Sequence, residues 1–341
     1  MSIRHITLSL CLVLLAAAPL AAISQGSLLF LTFEPGGRAN GMGRAYSAVA
    51  DDAFAMWWNP GATAFNRKGQ IALNHIPWLQ GSGLNDMFYE YLGWNQYFEG
   101  IGNLNAHIVL LDAGTQEQTD IHGTSQGNFH PFDIAGAIGY SYEAIPQTLG
   151  LGANFKLIYS YLAPGTGFTE SEGKAFSFTF DLGAKYRNAV SIPGLDLALV
   201  LQNVGPDVTF VDQEQADPAP MTARIGAAYR VMEDPLNKLT LSVEASKMLA
   251  NSDPLIKRFV TGWEHMDEVI YSAGAEFVYL DLIALRGGYF ADVAGKITGP
   301  SVGVGIQYAF DSRYKISADF AMVPGGELTD FNKVFSLGVE Y

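Results

Sequence analysis

One cysteine, Cys11, occurs in 341 residues. It falls in an N-terminal stretch with the marks of an export signal, so the mature chain is left without disulfide or thiol chemistry. Charge is sparse, at 16% of residues, and positive charge sparser still: 20 Lys and Arg stand against 34 Asp and Glu, a net of −14. Nucleic acid is thereby excluded as a partner, because a phosphate backbone requires basic stripes. Long apolar runs are missing as well. Past the signal none reaches 18 residues, so helical membrane spans are excluded. The histidines of the mature chain, His75, His107, His122, His130 and His265, show neither His-x-His nor His-Glu-x-x-His spacing. No dedicated metal site, and no other cofactor, is expected.

What is present is apolar content without apolar runs. Hydrophobic residues make up 49% of the chain, with 37 Gly, 21 Phe and 16 Tyr. Alternation disperses them. Leu149, Leu151, Ala153, Phe155, Leu157, Tyr159 and Tyr161 share one face, opposite Gly150, Gly152, Asn154, Lys156 and Ser160. Phe176, Phe178, Phe180 and Leu182 oppose Ser177, Thr179 and Asp181, and Leu239, Leu241 and Val243 oppose Thr240, Ser242 and Glu244. Lys156, Asp181, Arg224 and Glu244 cannot face hydrocarbon without large cost, so they point into a wet or hydrogen-bonded lumen. Such segments run to about 10 residues, the length of a tilted membrane strand. The expectation is an all-β fold, a transmembrane antiparallel β-barrel of about 14 strands. From a periplasmic start the odd connections are mostly long (112–129, 162–173, 204–220, 249–268) and the even ones short (98–102, 279–281, 310–313), the rule for bacterial barrels.

Both ends of the chain carry an address. Arg4 and the apolar stretch Ile6 to Ala18 precede Ala22-Ile23-Ser24, a small-x-small site, so residues 1–24 read as a signal peptide cleaved near Ser24. At the other end Phe335, Leu337, Val339 and Tyr341 stand at every second position. An amphipathic strand with a terminal aromatic residue is the signal that outer-membrane barrel assembly reads, which places the mature protein in the outer membrane of a diderm bacterium. Residues 25–67 do not alternate and precede a barrel read as 68–341. Small residues at Gly41 and Gly43 permit close backbone approach. Asp51 or Asp52 can cap a short helix over 53–58, which Asn59-Pro60-Gly61 ends. Such a segment most simply sits inside the barrel as a hatch.

The stretch GMGRAYSAVADDAFAMWWNPGATAF (41–65) resembles the hatch signature of the FadL superfamily of outer-membrane barrels. Within it the chain is most similar to the PorV/PorQ family of type IX secretion proteins. DMFYEYLGWNQYFEGIGNLNAHIVLL (86–111), LQNVGPDVTFVDQEQADPAPMTARIGAAYR (201–230) and SAGAEFVYLDLIALRGGYF (272–290) carry that narrower resemblance. One departure is Gly61, where the superfamily usually has Ala; on sequence grounds it loosens the turn. The resemblance implies a 14-stranded, non-enzymatic barrel. Its PorV-type members receive exported cargo through a C-terminal signal domain at the translocon and pass it to a surface attachment complex. Secreted cargo, type IX components and outer-membrane lipid are therefore the expected partners. The superfamily implies an alternative, a channel for hydrophobic small molecules.

Other features compete for a role. Asn203, Val204, Gly205, Pro206, Phe210 and Asp212 form the loop of the strongest family block and are candidates for partner binding, with Phe210 as an apolar anchor. The outer connections are acidic (Glu117, Asp120, Glu170, Glu172, Asp207, Asp212, Glu214), which reads as a solvated surface, a face for a basic partner or a divalent-cation site beside lipopolysaccharide. Over 250–267, Pro254 starts a helix whose Leu255, Phe259 and Trp263 fall four apart, an apolar stripe expected to pack on the barrel rim. Gly123-Thr124-Ser125-Gln126-Gly127 matches the Gly-x-Ser-x-Gly nucleophile pattern, but that motif requires a strand before it and a helix after it. Here it sits in a polar loop, and no catalytic residue is assigned.

Overall fold

The computed structural model describes residues 26–78, 86–120, 122–164, 172–211, 216–310, 313–326 and 329–341. Its frame is a closed antiparallel barrel of 14 strands. In chain order these begin with β1 (Gln70–Pro77), β2 (Phe88–Phe98) and β3 (Gly102–Asp112). A two-stranded hairpin, β4 (Gln116–Thr119) and β5 (Ser125–Phe129), stands apart from the wall. The wall resumes with β6 (Phe132–Ile145), β7 (Leu149–Ala163), β8 (Gly173–Tyr186), β9 (Leu195–Val204) and β10 (Thr222–Glu233). It closes with β11 (Asn237–Met248), β12 (Ile270–Tyr279), β13 (Ile283–Asp292), β14 (Ile297–Phe310), β15 (Tyr314–Pro324) and β16 (Phe331–Glu340). The seam is the pairing of β1 with β16, from Gln70 opposite Glu340 to His75 opposite Phe335.

The period-2 pattern determines which way each side chain points. On β8 the exposed Phe176, Phe178, Phe180 and Leu182 alternate with buried Ser177, Thr179 and Asp181. The same reversal holds on β11, where Leu241 and Val243 are exposed and Ser242 and Glu244 buried. Apolar outside and polar inside is the arrangement of a wall solvated by lipid. Tyr186, Tyr229, Tyr279, Tyr308, Tyr314 and Tyr341 are all exposed near the short-turn ends of their strands. They form the interfacial girdle, in which Trp94 Nε1 donates to the Tyr341 hydroxyl at 3.0 Å.

The core lies inside the barrel, built by residues 26–66. Helices α1 (Gly37–Gly41) and α2 (Ala55–Trp58) and a 3₁₀ turn (Pro60–Phe65) bury Phe30, Leu31, Met42, Tyr46, Phe54, Met56, Trp57 and Trp58. These pack against Tyr89, Tyr91, Val109 and Ile158 of the wall. The segment begins beside the outer loops, where the Ser27 amide donates to the Pro218 carbonyl at 2.9 Å, and ends at the opposite rim, where Gly69 pairs with Tyr341.

Candidate functional site: the seated hatch and the outer loops

The lumen-facing glycines of the strands form the seat of the inner segment. Its backbone lies directly on Gly183, Gly274, Gly288 and Gly303 of the wall. At Gly43, φ is +63° and a Cβ would stand 2.6 Å from both the Ala273 carbonyl oxygen and the Tyr289 nitrogen, so only glycine fits. At Gly61 a Cβ would meet the Gly183 carbonyl oxygen at 2.5 Å. The Gly that was expected merely to loosen a turn is there because the wall leaves no room for Ala.

The other hatch-motif residues close local hydrogen bonds. Asp52 accepts from the Phe54 amide at 3.0 Å and from the Tyr46 hydroxyl at 2.6 Å. Asn59 accepts from the Gly61 amide at 3.0 Å and donates to the Ser47 and Ala184 carbonyls at 3.0 and 3.1 Å. Pro60 ends α2 and also opens the 3₁₀ turn, as its fixed φ and missing N–H allow. Asp51 takes the Arg38 guanidinium at 2.5 Å.

Two buried ion clusters bolt the segment to the wall. Arg38 makes a two-pronged contact with Glu276, both bonds at 2.8 Å, while Arg286 donates to Glu276 and Asp319 at 2.7 Å each. Across the lumen Arg224 joins Glu34 at 2.8 Å and Glu244 at 3.1 Å, and the second Glu244 oxygen accepts the Tyr46 and Ser47 amides. Fork-shaped pairs between guanidinium and carboxylate are the strong, orienting kind. At the seam, the Gly36 amide donates to Asn74 of β1 and the Gly37 amide to Ser336 of β16, each at 3.0 Å, and those two residues are opposite partners. None of Glu34, Arg38, Asn74, Glu276 or Ser336 was singled out from sequence. Asn74, Glu276 and Ser336 were marked only by polarity on lumen-facing strand positions, and Glu34 and Arg38 only as charges in the segment before the barrel.

Two lumen cavities of about 450 and 270 Å³ flank the segment toward the short-turn end. Both are lined by Arg38, Asp51, Arg187 and Arg230, so that end of the lumen is charged. Toward the outer end three rings cluster: Phe33 stacks on Trp78 at 4.2 Å and meets Tyr89 edge-on at 5.9 Å.

The sequence model of the family described as type IX secretion system protein PorV matches residues 20–255. The chain belongs to the PorV family. No curated protein sequence matches it. Among solved structures it resembles the Pseudomonas putida toluene transporter TodX, at 13% identity and a TM-score of 0.53, covering 90% of this chain and 98% of that one. The Ralstonia pickettii toluene transporter TbuX gives 11% identity, 0.53, 90% and 98%. The CymD monoaromatic hydrocarbon channel gives 14%, 0.54, 92% and 98%. At these identities the likeness is one of fold: this PorV-family protein is an outer-membrane barrel with the architecture of those channels.

The outer loops of the PorV-family barrel sort the remaining candidates. Asn203, at φ 59°, is buried in a β-bulge, donating its amide to Asp181 at 2.9 Å and its side-chain nitrogen to the Pro220 carbonyl at 3.3 Å while accepting from Lys156. Gly205 is buried against Phe178 and Thr179. Val204 is half-buried, Pro206 is exposed and Phe210 packs partly against the core; Asp212 lies outside the described residues. Helix α3 (Leu255–Thr261) corrects one expectation. Its inward face is Arg258 and Gly262, whereas Phe259 and Trp263 are 40% and 43% exposed. Gly262 lies against Leu249, and Arg258 reaches Asp207 and the Asp253 carbonyl, so a buried cation, not the aromatic stripe, holds this helix down.

Ser125 opens β5 in the exposed hairpin, without the strand–turn–helix that would strain a nucleophile. His130 bonds Thr115, and among the described residues neither His122 nor His130 bonds Ser125. The hairpin turn is organised by Asp120, which accepts the Thr124 and His122 amides at 2.9 and 2.8 Å. Those two donors hold its carboxyl below the ordinary aspartate range.

Proposed function

We propose that the protein is a non-enzymatic component of the type IX secretion apparatus that holds exported cargo, through its C-terminal signal domain, or the translocon, and passes cargo to the surface attachment complex. The family match over residues 20–255 carries this reading. The bolted hatch supports it, because a lumen filled in this way directs function to the outer loops. Pro206 and Phe210, on the same outer face as the exposed stripe of α3, are the proposed contact points. The decisive experiment compares the secreted and surface-bound proteome of a deletion strain with its parent. Selective loss or periplasmic trapping of proteins that share a C-terminal β-domain is expected, with rescue by the intact gene and weaker rescue by the Pro206→Ala/Phe210→Ala double variant. An unchanged secretome would refute the role. The alternative, a channel for hydrophobic small molecules, requires an apolar route through the barrel; growth of the deletion strain on long-chain or aromatic hydrocarbons tests it directly.

A further inference from the structure

The lipid-facing surface is not equally continuous all round. On β8 exposed apolar side chains run from Phe176 to Tyr186, ten residue steps, or about 25 Å at the rise and tilt of barrel strands, which matches the usual apolar band. On β16 the unbroken run is Phe335 to Tyr341, six steps or about 15 Å by the same geometry, with exposed Phe331 beyond a break at Lys333. Above Phe335 the outward position is Lys333, and across the seam from Phe335 stands His75 of β1, opposite Glu90 of β2, their Nδ1 and Oε1 2.7 Å apart. An aromatic collar of Phe331 and Phe88 follows one rung further out. The apolar belt is therefore broken by one polar rung across β16, β1 and β2, from which the Lys333 side chain can extend toward the head-group region.

Directly below this polar patch the outer wall is hollowed. A cleft of about 580 Å³ opens on the bilayer side of β14, β15, β16, β1 and β2, walled by Leu73, Val304, Ile306, Phe320 and Phe335 and floored by Ala318. His75 and Glu90 form its upper border. Glu90 is already engaged by His75, whereas Lys333 makes no ion pair among the described residues. An apolar slot with an unengaged ammonium one outward position beyond its Phe335 wall is complementary to an amphiphile with an acyl chain and an anionic head. The patch lies at the long-loop ends of the strands, hence in the outer leaflet.

We propose that this cleft binds one acyl chain of lipid A, the phosphorylated glycolipid of the outer leaflet, with Lys333 meeting its phosphate. The test is native mass spectrometry of the full mature barrel in mild detergent, titrated separately with lipid A and with phosphatidylethanolamine. The unmodified barrel is expected to retain one lipid A at a concentration at least tenfold below that needed for phosphatidylethanolamine. Ala318→Trp, which fills the slot, and Lys333→Glu, which reverses the charge, should each weaken retention tenfold or more. Leu182→Trp, a similar change on the far wall, should not. Equal retention of the two lipids, or no retained lipid A, would overturn the proposal without any variant having to fold. So would variants of normal heat-modifiable migration that retain lipid A as the parent does.

Discussion

Glu276 anchors the hatch from the wall, because it satisfies Arg38 of the hatch and Arg286 of the wall together. Glu276→Ala leaves two buried guanidinium groups short of a counter-ion, and breaking a buried pair in this way costs about 3–5 kcal/mol. The expected result is a clear fall in the temperature at which the folded, fast-migrating band is lost on semi-native gels. Glu276→Gln, which keeps the shape but not the charge, should fall between. At this scale sequence was only partly informative. Alternation showed that Lys156, Asp181, Arg224 and Glu244 point inward, and the structure pairs all four. It could not show which inward charge meets which, because partners such as Arg38 and Glu276 are 238 residues apart. The same limit applied to Gly61, whose reason lies on β8.

Among elements, β16 has the most to do, since it pairs with β15 on one side and closes the ring against β1 on the other. Tyr341 extends that closure by exchanging backbone hydrogen bonds with Gly69. Deleting Tyr341 removes both bonds and the hydroxyl that Trp94 holds, so the level of heat-modifiable barrel in outer-membrane fractions should drop severalfold. The hairpin β4–β5 responds to acid instead. Because the Asp120 carboxyl is held below its ordinary range in the folded hairpin, its stabilising effect is complete above the unfolded value and drains away as pH falls through the lower, folded one. Amide protection over residues 116–129, taken relative to the intrinsic exchange rate at each pH, should therefore fall below about pH 4, the ordinary aspartate range, and Asp120→Asn should show the reduced protection already at neutral pH. All fourteen wall strands were legible, because each has one apolar face. This hairpin was not. Gln116, Glu117, Gln118, Gln126 and Asn128 give it no apolar face to read. Helix α3 was placed correctly but turned the wrong way, since the stripe marks apolarity and not which side meets the protein.

For the molecule as a whole, the distribution of polarity is that of a globular protein turned inside out, with a second, conventional core of hatch residues inside the first shell. With the hatch packed across the lumen and fixed to opposite walls, the barrel should not behave as an open pore. Reconstituted in planar bilayers it should give no stepwise conductance, and discrete openings from the unmodified protein would contradict a seated hatch. Barrel class, strand number and membrane placement followed from periodicity and connection lengths. The route of the hatch did not, because nothing local says where a glycine-rich segment will lie. That route has a consequence for how the barrel stays closed. Gly36 and Gly37 hold Asn74 and Ser336, the two residues that face each other across the join between the first strand and the last. One short stretch of the hatch thus holds both lips of the join, and a change that unseats Gly36 and Gly37 loosens the first strand and the last together.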